Sequence, residues 1–142
     1  MQNHTMNFTS IRIITADIKR LVQFFEDAMK LSARWSTEDF AEIASNSFTI
    51  AIGSTRTLSL FGQGVAQAAG NKSVIIEFLV ENVDEDYERI KDLTSEIVQK
   101  PTTMPWGNRS LLFRDPDGNL INFFTPVSPE AMKKFGVEKR VS

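Results

Sequence analysis

Apolar residues recur along this chain in two periods, and each change of period marks an element. Ile11–Thr15 is a β-branched run that reads as a strand. Asp17 follows as an N-cap. Ile18, Val22, Phe25 and Met29 then recur at i, i+4, i+7 and i+11, one face of an amphipathic helix. Phe40–Ala44, Phe48–Ile52 and Thr57–Phe61 read as short strands, with Asn46-Ser47 and Gly53-Ser54 as turns and Trp35 near the entry to the group. Gly62–Ser73, GQGVAQAAGNKS, is small and polar and has the character of a linker. Val74–Val80 is the next strand, and Val83, Tyr87 and Ile90 restore the helical period. Ile97–Gln99 is a short strand. Ser110–Arg114 and Leu120–Phe124 then flank Asp115-Pro116-Asp117-Gly118-Asn119. That pentapeptide has turn chemistry: Pro116 presets φ, Asp115 can bond nearby backbone, and Gly118 tolerates positive φ. Ser128-Pro129-Glu130 opens a last short helix, with Ser as cap and Pro at the first helical position.

The second half repeats the plan of the first. A shift of 65 residues places Ser10 on Ile75, Arg12 on Glu77, Ile18 on Val83, Val22 on Tyr87 and Phe25 on Ile90. Identities are few, but the hydrophobic pattern superposes, which indicates an internal duplication. The predicted organisation is a βαβββ module over 8–62, a linker over 63–73, a second βαβββ module over 74–126, and a C-terminal helix and tail over 127–142. The fold class is α+β, with the strands forming an open, cupped mixed sheet and the helices on its convex side.

Strand alternation sorts side chains into two faces. One collects Ile11, Ile13, Leu58, Leu60, Ile76, Phe78, Val80, Ile121 and Phe123; it is wholly apolar and is expected to pack on the helices. The other collects Ser10, Arg12, Thr57, Ser59, Phe61, Ile75, Glu77, Leu79, Leu120, Asn122 and Phe124. A flat solvated face would carry more Lys and Glu, and a dry core would not carry Arg12 and Glu77. A concave, partly polar pocket fits this mixture.

Composition narrows the chemistry. The chain has 142 residues, 42% hydrophobic and 24% charged, enough to bury a core. A net charge of −2 disfavours non-specific nucleic-acid binding. The absence of Cys excludes thiolate metal sites, disulfides and a Cys nucleophile. No apolar run approaches a membrane span, and MQNHTMNFTS has neither a basic nor an apolar leader region. A cytoplasmic protein without membrane or nucleic-acid partners is expected. Gly62–Gly64 lacks the pattern of a phosphate loop, and Asn82–Glu88 lacks calcium-loop spacing and reads as the acidic first turn of a helix.

The stretch Pro105–Pro126, PWGNRSLLFRDPDGNLINFFTP, resembles the last hairpin of the vicinal-oxygen-chelate superfamily. That superfamily holds glyoxalase I, extradiol dioxygenases, fosfomycin-resistance enzymes and bleomycin-resistance proteins. The resemblance runs from Thr9 to Pro126 and implies the glyoxalase-like fold. Metal enzymes of the superfamily take His, Glu or occasionally Gln ligands from four strand positions. By motif these fall here on Ser10, Ser59, Ile75 and Asn122. Ile75 offers no donor, and Ser and Asn are poor ligands for a divalent transition ion. The single His, His4, lies in the N-terminal tail. The resemblance therefore points to metal-free, bleomycin-resistance-like members, with no cofactor and no catalytic set.

The expected function is non-catalytic sequestration of a planar or amphipathic, often aromatic, small molecule. Ser10, Arg12, Trp35, Ser59, Phe61, Glu77, Trp106 and Asn122 are the candidate ligand-binding residues. Arg12 and Glu77, at equivalent places in the two modules, are read either as a structural ion pair or as anchors for a ligand's charged groups, the former ahead. Trp106, in a Pro-Trp-Gly-Asn loop, is placed to lie over a pocket mouth; Asn108 and Arg109 beside it either reach the ligand or cap the loop. Asn122 offers donors and an acceptor in the former metal position. The alternative is a lyase, isomerase or dioxygenase of the same superfamily with an atypical or metal-free active site. Short chains of this superfamily commonly pair, so a homodimer is expected.

Overall fold

A computed structural model of the chain describes residues 5–138. The chain folds as two compact units, the first ending at Gly70 and the second beginning at Asn71. The first runs β1 (Ile11–Thr15), α1 (Ile18–Met29), β2 (Arg34–Thr37), β3 (Phe40–Ala44) and β4 (Thr49–Ser54), then a short 3-10 helix, Thr55–Leu58. The second runs β5 (Ile75–Leu79), α2 (Val83–Ile90), β6 (Ile97–Thr103), β7 (Asn108–Arg114), β8 (Leu120–Pro126) and α3 (Pro129–Lys134). Each unit holds one four-stranded mixed sheet, in the orders β1-β4-β3-β2 and β5-β8-β7-β6. In both, the first and last strands pair in parallel and the other neighbours are antiparallel. Two βαβββ modules of an α+β fold result. None of the described helices is long and apolar enough to cross a membrane.

The repeat is visible in the caps. Asp17 accepts from the Arg20 amide and Asn82 from the Glu85 amide, each at 3.2 Å, so both helices start from a side-chain cap at matching places in the duplication. α1 presents Leu21, Val22, Phe25 and Ala28 to β3 and β4, where Ile13, Ala41, Ile43, Ile50 and Ile52 complete a dry layer. In the second unit Val83 and Ile90 cover Ile76, Leu111, Phe113, Ile121 and Phe123, while Tyr87 stays half-buried. The rings of Phe78, Phe123 and Phe113 meet edge to face at 5.7 and 5.0 Å.

The expected strand Thr57–Phe61 does not form. Gly53-Ser54, read as a turn, instead ends β4. Ser54 Oγ then accepts from the Arg56 amide, and the chain winds into the 3-10 turn. Leu58 and Leu60 accordingly leave the apolar face, and Leu60 is 94% exposed. The third antiparallel strand of the first unit is Arg34–Thr37, where no strand was expected. All four of its residues are exposed, so it carries no apolar alternation.

The DPDGN turn closes as its chemistry requires. Asp115 is 2% exposed and accepts from the amides of Asp117 and Asn119 and from Asn119 Nδ2, at 2.9, 2.9 and 2.7 Å. Burial nevertheless raises its carboxyl above the usual range, against the pull of these donors. Gly107 sits at φ 94°, and its carbonyl accepts from the amides of Val127 and Ser128. That docks the start of α3 against the β6–β7 turn.

Candidate functional site

Within each unit, register decides which residues can meet a ligand together. In the second sheet, Glu77 lies opposite Asn122, Asn122 opposite Leu112, and Leu112 opposite Gln99. Residues paired across a sheet share a face. This row therefore lies on one face, away from the Ile76–Ile121–Phe113 layer. Asn122 Nδ2 donates to Glu77 Oε2 at 2.9 Å. Asn122 is 8% exposed, and its Oδ1 is buried without a hydrogen-bond partner. Gln99 Oε1 and Asn108 Oδ1 are in the same condition. Glu77 is exposed, and Ile75 and Leu79, two residues to either side on the same face, are exposed as well.

Gln99 reaches this row through an irregularity. The register slips between Ile97 and Gln99, so Ile97 faces Phe113 in the core layer while Gln99 faces Leu112. A bulge of this kind re-aims a side chain. Reading Ile97–Gln99 as a plain short strand hid it. Phe124 also belongs to this face, and there Phe135, just past α3, lies over it at 5.0 Å between ring centres.

Trp106 occupies the β6–β7 turn and is 65% exposed. It stands two residues before Asn108, at the end of the face that carries Asn122. Arg109 is engaged with Asp84 and, at 3.4 Å, with Thr103 Oγ1 at the end of β6. It points to the α2 side, where Nε and Nη2 donate to the two oxygens of Asp84 at 2.9 and 3.0 Å. These bonds hold the Asp84 carboxyl below, and the Arg109 guanidinium above, their ordinary values.

In the first unit the corresponding row is Arg12, Ala51, Glu42 and Arg34. The Arg12 guanidinium lies over the rings of Phe40 and Phe61, at 5.1 and 5.9 Å. Arg12 and Phe61 are thus brought together by a turn after the 3-10 helix and not by the expected strand. Within their own units, then, Arg12 rests on two aromatic rings and Glu77 accepts from an amide. Ser10 immediately precedes β1 and is half-buried. Trp35 does not join Arg12: it pairs with Ala41, which pairs with Ile52, so it belongs to the core side of the sheet. Ser59 caps the 3-10 helix and is exposed, so it is not a strand position.

That last point moves one of the four family metal positions. β4 stands to β1 as β8 stands to β5, and the residue opposite Arg12, as Asn122 is opposite Glu77, is Ala51. The set becomes Ser10, Ala51, Ile75 and Asn122. Two of these have no donor atom and two offer only neutral oxygen or amide groups, a set that does not fit a divalent transition metal. Among the described residues no three His, Cys, Asp or Glu side chains are grouped to hold a metal ion. His4 lies outside the described residues.

Two mixed sheets built on duplicated βαβββ units, each with its first and last strands in parallel, define a glyoxalase-like protein. The comparisons agree. The model of the Glyoxalase/Bleomycin resistance protein/Dioxygenase superfamily matches residues 2–123, and the chain belongs to that superfamily. It is 27% identical over 125 residues to the uncharacterized protein YraH of Bacillus subtilis (strain 168), covering 84% of this chain and 98% of that protein. Among solved structures it is similar to a glyoxalase/bleomycin resistance protein/dioxygenase from Nocardioides, with a TM-score of 0.74, 16% identity, and 99% and 93% of the two chains covered. A family enzyme from Burkholderia phytofirmans PsJN gives a TM-score of 0.74 at 14% identity, over 84% of this chain and 98% of its own. At such identities the structural likeness concerns the fold.

Proposed function

We propose that this protein binds a small molecule non-covalently and sequesters it, without the metal its superfamily's enzymes use. The observation that carries the reading is the Asn122–Glu77 pair. Where those enzymes place a metal-binding Glu, this chain has an amide whose nitrogen is committed to a carboxylate and whose oxygen is buried without a donor. Ser10, Ala51 and Ile75 at the other positions support it, since none is an imidazole or a carboxylate. Within the second unit, the exposed ring of Trp106 and exposed Ile75 and Leu79 beside Glu77 and Asn122 supply the mixture of apolar surface and sparse polar groups that small-molecule sites favour. In this reading the protein works in the cytoplasm as a homodimer.

A thermal-shift screen over metabolites and aromatic drugs tests the proposal. A ligand present at about 100 times its Kd adds about 2.7 kcal/mol of stability, a plain rise in Tm. Metal analysis of untagged protein completes the test. Stoichiometric Zn, Ni, Fe or Mn surviving dialysis would sink the metal-free reading and bring forward a lyase, isomerase or dioxygenase.

A further inference from the structure

We infer that the Gln99–Leu112–Asn122–Glu77 row of the second sheet selects an organic amine with an apolar body. The inference rests on the binding reading above and names the chemical class of the ligand. What the row offers beside a negative charge is a set of hydrogen-bond acceptors that lack donors. Asn122 Oδ1 and Gln99 Oε1 are buried and lack donors. Glu77 uses one oxygen to accept from Asn122 and, among the described residues of its own unit, pairs with no Lys or Arg. One of the two N–H donors of the Asn122 amide is already given to Glu77, and the negative charge of Glu77 beside the other disfavours an anion. A carboxylate or phosphate placed here would meet acceptor oxygens and a negative charge. An ammonium brings up to three N–H donors to those same atoms.

Spacing adds a second requirement. Adjacent strands lie about 4.8 Å apart, so Gln99 stands about 10 Å along the row from Asn122, with Leu112 between them. One ammonium cannot serve both ends. The arrangement suits a molecule with its amine at Glu77 and Asn122, an apolar middle over Leu112, and a second O–H or N–H donor at Gln99. Ile75 and Leu79, exposed on either side of Glu77, supply further apolar surface for that body.

Four probes of related shape test this by calorimetric titration: 2-phenylethylamine, tyramine, 2-phenylethanol and phenylacetate. Expected is binding of the two amines about tenfold or more tighter than of the alcohol or the acid. Glu77→Gln is expected to remove that preference, because a hydrogen bond to a charged group is lost. Gln99→Leu is expected to weaken tyramine, which carries a distal phenol, while leaving 2-phenylethylamine within about twofold. Glu77 is exposed, so its variant should keep the parental Tm and report on binding alone. Acid or alcohol binding as tightly as the amines, failure of both amines to bind, or indifference of amine binding to Glu77→Gln would each overturn the amine assignment. The sequestration reading would survive any of these if the wider screen yields ligands of another class. A screen with no ligand of any class would overturn both.

Discussion

Asn122 and Glu77 face each other across the parallel pair β5–β8, and the amide nitrogen donates to the carboxylate at 2.9 Å. That bond fixes the amide's orientation, since the flipped form would set oxygen against a carboxylate. The cost falls on Oδ1, buried with no donor. A buried acceptor left unpaired is unfavourable by about 1–3 kcal/mol. Asn122→Leu removes that acceptor at similar volume. Its stability in urea should match or exceed the parent's, by up to about 2 kcal/mol, while ligand affinity falls. A large loss of stability would mean that Asn122 is held for structure and not for a ligand.

Asn122→Asp separates ligand charges. A second carboxylate beside Glu77 repels the first, so a neutral or anionic ligand should bind more weakly and a cationic one more tightly. Titrating one ligand of each charge against this variant reads the sign directly.

Gly107→Ala should be severely destabilising. The position has φ 94°, and an added Cβ would overlap Ser128 Oγ and come within 3.2 Å of Ala131 Cβ. The left-handed backbone alone costs about 1 kcal/mol for a non-glycine residue, and the overlap must also push α3 off the turn. A loss of about 3 kcal/mol or more in urea denaturation is expected, with faster amide exchange in α3. Gly118→Ala, also at positive φ but with open space around it, should lose only the backbone contribution.

Two carboxylates should respond to pH with opposite sign. Asp84 is held below its ordinary 3.8 by Arg109, so its contribution is present above that value and is lost as pH falls through the folded one. Asp84→Asn should therefore be less stable than the parent at pH 7, with the gap closing below about pH 3.8. The pair is half exposed, so the effect should be modest. Asp115 is raised by burial, so its titration favours the fold below 3.8, and that contribution fades as pH rises through the folded value. Asp115→Ala leaves three donors without their acceptor and should cost about 3 kcal/mol or more at pH 7. Denaturant midpoints measured from pH 3 to pH 8 check both signs.

Phe61 should tether the 60–70 segment through Arg12. The guanidinium–ring contact at 5.9 Å is worth about 0.5–1 kcal/mol at an exposed site. Phe61→Leu should change global stability by no more than that and speed proteolytic cleavage within 60–70. Arg12→Met combined with Phe61→Leu should add nothing to the single changes if the two act through one contact.

How much of this was legible beforehand depended on whether the signal was local. Asp17 and the DPDGN pentapeptide act on their own neighbours, and the helices and the last hairpin could be read from them. Arg34–Thr37 is an exposed strand with no apolar alternation, and its partner β3 alone makes it a strand. Thr57–Phe61 has β-branched and aromatic residues, but Ser54 and Thr57 bond the local backbone and turn the chain instead. That single miss carried Ser59 into the candidate site and kept Ala51 out of it. Trp35 was displaced by the same ignorance of β2, since its face follows only from pairing with Ala41. Gln99 needed a register slip that depends on β7. Glu77 and Asn122 were legible because both sit on regular strands where parity holds.

The parallel pairing of first and last strands sets the order in which each sheet can be completed. β1 has no neighbour until β4 has been made, and β5 none until β8, some forty residues later in each case. Neither parallel pair can form from a nascent hairpin, and each must close a long loop. Every strand of the first sheet has been synthesised by Ser54, before any of the second exists, so ribosomal synthesis offers the two repeats to folding one after the other. A duplicated sequence is thereby spared much of the competition in which a strand of one copy pairs with its counterpart's partner.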